Sequence, residues 1–108
     1  MITGILDINS DDINKNIRLF KTDINNRYIY INNEKIDTVK ENNDWKYNFK
    51  KEGKYTLNIK FKNIITNMRA FFEKSSNIIS LDFSYFNTSN ISNMALLFSH
   101  CNKLKEIK

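Results

Sequence analysis

The sequence predicts a small, β-rich α+β protein, with an antiparallel β N-terminal cap over residues 1–54 and a module of short strand-plus-helix turns over residues 55–108. Three observations lead to this fold class. Apolar and polar residues alternate in short runs up to residue 62, as in strands with one buried face. Apolar residues then recur at helical spacing in two later segments. An offset of 26 residues relates these two segments, which is typical of repeats that bury their apolar faces by stacking.

Four short strands are predicted between residues 2 and 37 of the cap. Alternation indicates strands at residues 2–8 and 17–20, with Ser10-Asp11-Asp12 as a turn or short cap between them. A hairpin over residues 28–37 is predicted at Asn32-Asn33, because asparagine tolerates the positive φ angles of a two-residue turn. The acidic residues lack calcium-loop spacing and are interpreted as turn formers and caps: Asp7, Asp11, Asp12 and Asp23.

A second hairpin is predicted over residues 45–62, with Gly53 providing backbone freedom at its turn. One face is aromatic and aliphatic, and the other is rich in lysine, asparagine and threonine. The polar face carries a lysine stripe that could follow a phosphate backbone: Lys46, Lys50, Lys54, Lys60 and Lys62. Because the aromatic residues of this hairpin face the other side, no stacking platform is expected beside the lysines.

The 26-residue offset pairs two apolar quartets at i, i+3, i+4 and i+7, which predicts two helical turns in each copy. The quartets are Met68, Phe71, Phe72 and Ser75, and then Met94, Leu97, Phe98 and Cys101. Thr66 and Ser92 precede them as candidate N-caps. Polar turns then lead into predicted strands at residues 78–83 and 104–107.

The second copy resembles the BspA-like leucine-rich-repeat family. The resemblance covers about half the chain and is closest over residues 78–107, in Leu81-Asp82-Phe83-Ser84, in Asn87-Thr88-Ser89-Asn90-Ile91-Ser92-Asn93-Met94, and in Phe98 and Cys101. The first copy keeps Thr66-Asn67-Met68 and Phe72, with Ser75 in place of the cysteine. The resemblance implies one to two leucine-rich-repeat turns that serve adhesion or protein contact, with no catalytic residues to carry over.

The function predicted from these features is a non-catalytic protein-interaction or assembly module. The predicted contact surface is the exposed side of the repeat strands, at Ser80, Asp82, Ser84 and Tyr85. The open edge of the second copy, at residues 104–108, predicts a protein partner or self-association.

An alternative function is a small basic subunit of a ribonucleoprotein or other large assembly, which contacts nucleic acid through the lysine stripe. The net charge of +5, from 17 basic and 12 acidic residues, favours an anionic partner. The chain is also rich in Asn, Lys, Ile, Phe and Tyr and contains no proline, as codons rich in A and T would produce. Coding bias can therefore account for much of the lysine excess.

Other classes of function find little support in the sequence. Gly4 and Gly53 are the two glycines, which excludes a glycine-rich phosphate loop, and Cys101 is the single cysteine, which excludes a disulfide within the chain. His100 and Cys101 are adjacent and would point apart on a helix. We expect no enzyme, cofactor or metal site. We also expect no membrane span or signal peptide, and an intracellular location unless the chain comes from a longer precursor.

Overall fold

The computed structural model describes residues 1–22 and 27–108, which form nine strands and one short 3-10 turn at Ser10–Asp12. The strands are β1 (Ile2–Ile8), β2 (Asn16–Lys21), β3 (Arg27–Ile31), β4 (Glu34–Lys35), β5 (Val39–Glu41), β6 (Asp44–Asn48), β7 (Gly53–Phe61), β8 (Ile78–Asp82) and β9 (Glu106–Ile107). The β-rich character expected from the sequence is confirmed.

The strands form two sheets. The larger has the order β4-β3-β7-β1-β8-β9, and the smaller has the order β2-β6-β5. Neighbouring strands are antiparallel except β8 and β9, which are parallel. The predicted boundary after residue 54 falls inside β7, and strands from both sides of it lie together in the larger sheet.

Two asparagine pairs make the tight turns. Asn32 and Asn33 have φ angles of 50° and 66° and connect β3 to β4, which confirms the predicted hairpin turn. Asn42 and Asn43, with φ angles of 51° and 69°, connect β5 to β6 in the same way. The sequence analysis missed this second hairpin.

The predicted hairpin over residues 45–62 is wrong. β6 pairs with β2 and β5, whereas β7 pairs with β1 and β3, so the two strands belong to different sheets. Trp45 ties β6 to the chain after β2, because its indole N–H donates to the carbonyl oxygen of Thr22 at 2.9 Å. Residues 49–52 therefore carry the chain from one sheet to the other.

The two predicted helices, at residues 68–75 and 94–101, are also wrong. These residues form successions of turns, and no α-helix occurs in the described residues. The α+β fold class with helix-bearing leucine-rich-repeat turns is thereby contradicted. We refer to residues 67–75 as the first turn segment and to residues 93–101 as the second.

Hydrogen bonds and backbone angles explain why these segments are not helical. In the first turn segment, backbone N–H groups donate to the carbonyl three residues earlier at Phe71, Glu73 and Ser75. A right-handed helix excludes positive φ angles. Such angles nevertheless recur at the 26-residue offset, at Ala70 (56°) and Leu96 (59°) and at Lys74 (61°) and His100 (57°).

The two turn segments lie side by side in parallel. N–H groups of the first donate to carbonyl oxygens of the second over 2.8–3.2 Å, from Met68 to Asn93, Ala70 to Ala95, Phe72 to Leu97 and Lys74 to Ser99. The predicted N-caps take part in this contact instead, since the Ser92 N–H donates to the Thr66 carbonyl oxygen at 2.8 Å. The same offset relates the parallel register of β8 and β9, where Leu81 lies opposite Ile107.

The core joins both sheets to the first turn segment. Phe20 of β2 stacks on Phe71 with ring centroids 4.9 Å apart, and Phe71 meets Phe72 edge to face at 4.8 Å. Phe72 and Leu6 of β1 are fully buried. Burial of a side chain of this size contributes about 1.5–3 kcal/mol, so this cluster supplies much of the driving force for folding.

The predicted turn-forming aspartates have mixed outcomes. Asp12 completes a capping box with Asn9 around the 3-10 turn, and its carboxylate accepts a hydrogen bond from the Asn77 amide at 2.9 Å. Asp7, in contrast, lies within β1. Asp23 lies outside the described residues.

The turn conformation leads to a test in which a glycine substitution stabilises the protein. We expect Lys74→Gly to raise the free energy of unfolding by about 0.5–1 kcal/mol, because relief of the left-handed strain exceeds the entropy cost of glycine. Glu73→Gly, at a position without positive φ, should lower it by about the same amount. Chemical denaturation measures both values. A helix would be destabilised by both substitutions, so a loss of stability in Lys74→Gly would contradict the turn.

Candidate functional site

The four predicted contact residues lie in two different settings. Ser80 and Asp82 are half-buried on β8 and border a shallow pocket of about 180 Å³, together with Thr3 of β1. Ser84 and Tyr85 follow β8 and are exposed, with 81% of Tyr85 accessible to solvent. The four residues are therefore adjacent in the chain without forming one uniformly exposed patch.

Asp82 is engaged in a local turn. The Ser84 backbone N–H donates to Asp82 Oδ1 at 2.8 Å. Hydrogen bonding to the Ser84 side chain and then to its backbone holds the pKa of Asp82 below its usual value, and the charge of Lys108 adds to this effect. Asn67 and Asn93 make the same side-chain contact with the N–H two residues later. The carboxylate therefore orders the loop after β8.

The predicted lysine stripe is divided between the two sheets. Lys46 lies on β6, where its Nζ is 3.9 Å from a carboxylate oxygen of Glu41. Lys50 follows β6 and donates to the Asn48 side chain at 2.9 Å. The other three predicted lysines belong to β7 or follow it directly: Lys54, Lys60 and Lys62. Because β6 and β7 are not neighbours, these five side chains do not line one face.

A different basic surface lies on the outer face of the larger sheet. We call it the tyrosine–lysine patch, and its members are Tyr28, Tyr30, Lys35, Lys60 and Lys62. The Nζ atoms of Lys35 and Lys62 lie 4.6 and 4.7 Å from the centre of the Tyr28 ring, and that of Lys60 lies 5.4 Å from the Tyr30 ring. Aromatic rings therefore do accompany part of the predicted stripe.

The sequence analysis missed this patch because it paired β7 with the wrong strand. Alternation in β3 places Tyr28 and Tyr30 on the face opposite the buried Ile29 and Ile31, which the sequence does show. The position of β3 beside β7, with Tyr28 opposite Lys60, is a long-range pairing that alternation does not specify.

An apolar groove of about 250 Å³ opens beside the second turn segment, and we call it the second-turn groove. It is lined by Met68, Phe83, Phe86, Thr88, Ile91, Met94, Leu97, Phe98 and Ile107. Met94 and Ile107 remain about half accessible, at 50% and 49%, and the neighbouring Leu96 is 48% accessible. β9 is the last strand of the larger sheet, so the groove lies next to the edge that the sequence analysis predicted to be open.

Cys101 is half-buried and packs against the core in a structural role. Its thiol donates to the Phe72 carbonyl oxygen at 2.9 Å, and burial raises the pKa of the Cys101 thiol. A raised pKa keeps the thiol protonated at neutral pH, which is the opposite of an activated nucleophile. The adjacent His100 is exposed.

The geometry thus defines a small β-rich protein with two sheets, two stacked turn segments and two accessible surfaces of opposite character. Comparison with known proteins found no matching family model, curated protein or solved structure. The resemblance to BspA-like repeats therefore stays a prediction. Over residues 1–22 and 27–108, no helix is long and apolar enough to cross a membrane, and no three His, Cys, Asp or Glu side chains are placed to hold a metal ion.

The environment of Asp82 predicts a measurable pH effect. Because its folded pKa lies below the unfolded value, the ionised carboxylate favours the folded state above the usual aspartate range, and this contribution disappears as pH falls through the folded pKa. We expect NMR titration to give a pKa below the usual value for Asp82. Ser84→Ala should raise it, whereas Ser76→Ala at another exposed serine should not. A midpoint at or above the usual value in the parent chain would contradict the described contact.

Proposed function

We propose that this protein is a non-catalytic protein-interaction or assembly module and that it binds its partner at the second-turn groove. The observation that carries this proposal is the exposure of Met94, Leu96 and Ile107 around an apolar groove. Contiguous apolar patches on soluble proteins commonly mark interaction sites.

Part of the predicted contact surface is next to this groove in the chain. The loop after β8 carries the exposed Ser84 and Tyr85, and it also contributes Phe83 and Phe86 to the groove wall. A large apolar anchor in a pocket, surrounded by polar residues, is the usual arrangement of an energetically important contact. The proposed interface therefore has its centre in the groove, with Ser84 and Tyr85 at its rim.

The proposal can be tested with captured partners of the full chain. Proteins retained from the source organism are identified, and their affinities are measured for Leu96→Glu, next to the groove-lining Leu97 in the chain, and for the control Ile64→Glu. Ile64 is 74% exposed and lies outside the groove. Leu96→Glu should weaken binding at least tenfold, which is about 1.4 kcal/mol, and the control should not.

Two further outcomes of this experiment are informative. Unchanged binding by Leu96→Glu would refute the groove as the contact site. Loss of binding in the pair Asp82→Arg and Tyr85→Ala alone would place the contact on the strand surface predicted from the sequence. Thermal unfolding of each variant verifies that it is folded.

The tyrosine–lysine patch favours a second candidate function, the binding of single-stranded nucleic acid. Its three ammonium groups can neutralise phosphates, and the rings of Tyr28 and Tyr30 can stack on bases. This combination is absent from the hairpin that the sequence predicts, and it supports the alternative function.

A charge-matched pair of variants tests this second function. Fluorescence anisotropy with a labelled single-stranded oligonucleotide should show weaker binding for Lys62→Ala and for Tyr28→Ala than for the parent. If Lys62 contacts a phosphate, its loss should reduce the slope of log affinity against log salt by about 0.7. Lys51→Ala, at an exposed lysine outside the patch, serves as the control. Equal effects of Lys62→Ala and Lys51→Ala would indicate that only net charge matters.

A further inference from the structure

The backbone hydrogen bonds between residues 67–75 and residues 93–101 all run in one direction. Other contacts run the opposite way, from the Cys101 thiol to the Phe72 carbonyl oxygen and, just before the segments, from the Ser92 N–H to that of Thr66. In the first segment, N–H groups at alternate residues point toward the second segment and are bonded there, at Met68, Ala70, Phe72 and Lys74. The carbonyl oxygens that receive them belong to alternate residues of the second segment. Each segment therefore has one edge of donors and one edge of acceptors, unlike a β-strand, whose edges carry both.

The second turn segment repeats the backbone of the first. Its N–H groups at Leu97, Ser99 and Cys101 donate to the carbonyl three residues earlier, and its positive φ angles lie at the equivalent positions. The donor edge of the second segment therefore faces away from the first. We call it the donor row, and it consists of the N–H groups of Met94, Leu96, Phe98 and His100. None of the four donates a hydrogen bond to any of the described residues.

We infer that the donor row binds the backbone of a polypeptide segment that runs parallel to the second turn segment and is folded into the same succession of turns. This inference rests on the proposed function and specifies the chemistry of the partner. Such a segment offers carbonyl oxygens at alternate residues along one edge. Its apolar side chains would fill the second-turn groove, in the same way that the second turn segment packs beside the first.

The structure shows directly what satisfies an edge of this kind. The equivalent donors of the first segment are bonded to carbonyl oxygens of a parallel segment of the same conformation. Water can bond a single exposed N–H, but a row of donors beside an apolar groove is matched by a backbone that supplies acceptors and apolar contacts together. A nucleic acid would bring phosphates to a groove lined by apolar side chains, which is unfavourable.

A second copy of this chain is a poor occupant. A symmetric dimer through this edge would place the donor row of one copy against that of the other, with no acceptors between them. In head-to-tail stacking, the donor row of one copy would bind the acceptor edge of the first turn segment in the next copy. However, β2 already covers that edge. The Lys21 N–H donates to the Phe71 carbonyl oxygen at 2.7 Å, and the Ser75 hydroxyl donates to the Leu19 carbonyl oxygen at 3.0 Å.

Amide hydrogen exchange provides the test, because it reports each N–H separately. The probe is a synthetic peptide with the sequence of residues 83–108, with serine in place of Cys101, added to the isotope-labelled full chain. We expect exchange in the donor row to slow at least tenfold. The intervening amides are already bonded within their own segment and should keep their rates: Ala95, Leu97, Ser99 and Cys101. A scrambled peptide should change neither set.

A second version of the experiment allows for weak binding of the free peptide. Joining the same 26 residues to the end of the chain raises their effective concentration to about the millimolar range. Unchanged exchange of the donor row in both versions overturns the inference. Uniform slowing of all eight amides also overturns it, because it indicates apolar coverage without backbone pairing. That outcome does not contradict the proposed function. The proposed function is refuted only if captured partners bind the Leu96→Glu variant as tightly as the parent chain.

Discussion

The one-way hydrogen bonding between the turn segments determines how the rest of the molecule is arranged. Because the N–H groups of the first segment at Met68, Ala70, Phe72 and Lys74 all donate to the second, the two segments have one order and one direction. β2 occupies the acceptor edge of the first segment through Lys21, and β8 and β9 continue the same parallel register in the larger sheet. The same distance of 26 residues along the chain separates the paired positions of the two turn segments and those of β8 and β9. Both parallel contacts therefore have the same register.

The same constraint explains why equivalent side chains differ so much in burial. Met68 is 1% exposed and Met94 is 50% exposed, although they occupy equivalent positions in the two segments. Ala70 and Leu96 differ similarly, at 9% and 48%. The first segment lies between β2 and the second segment, whereas the second has a neighbour on one side within the described chain. The groove therefore arises from the stacking geometry and requires no special residue of its own.

The sequence contains enough information to predict periodicity, and it is less informative about pairing and local conformation. Alternation correctly indicated β1 and β2, and the asparagine pair at residues 32–33 correctly indicated a hairpin. Spacing at i, i+3, i+4 and i+7 identified the buried face of the first turn segment, but a succession of turns can present that face as well as a helix can. Ala70 and Leu96 are not residues that favour positive φ, so residue type gave no warning of the turns.

The candidate sites show the same limit, namely that the sequence is less informative about pairing than about periodicity. Ser80, Asp82, Ser84 and Tyr85 were selected from a repeat pattern. Ser80 and Asp82 border a separate shallow pocket, whereas Ser84 and Tyr85 lie between the groove-lining Phe83 and Phe86 in the chain. Lys60 and Lys62, two members of the predicted stripe, lie over aromatic rings that come from β3, more than twenty residues earlier in the chain. Which strands become neighbours depends on the assembled core, and local periodicity does not encode it.

The two candidate surfaces lie toward opposite edges of the larger sheet. The tyrosine–lysine patch involves β4, β3 and β7, whereas the second-turn groove lies next to β8 and β9, with β1 between the two groups. Four strand spacings separate β3 from β9, which is roughly 19 Å at about 4.8 Å per spacing. An anionic partner on the patch and a polypeptide on the donor row therefore need not compete for the same atoms. The two functions can be tested independently, and support for one does not argue against the other.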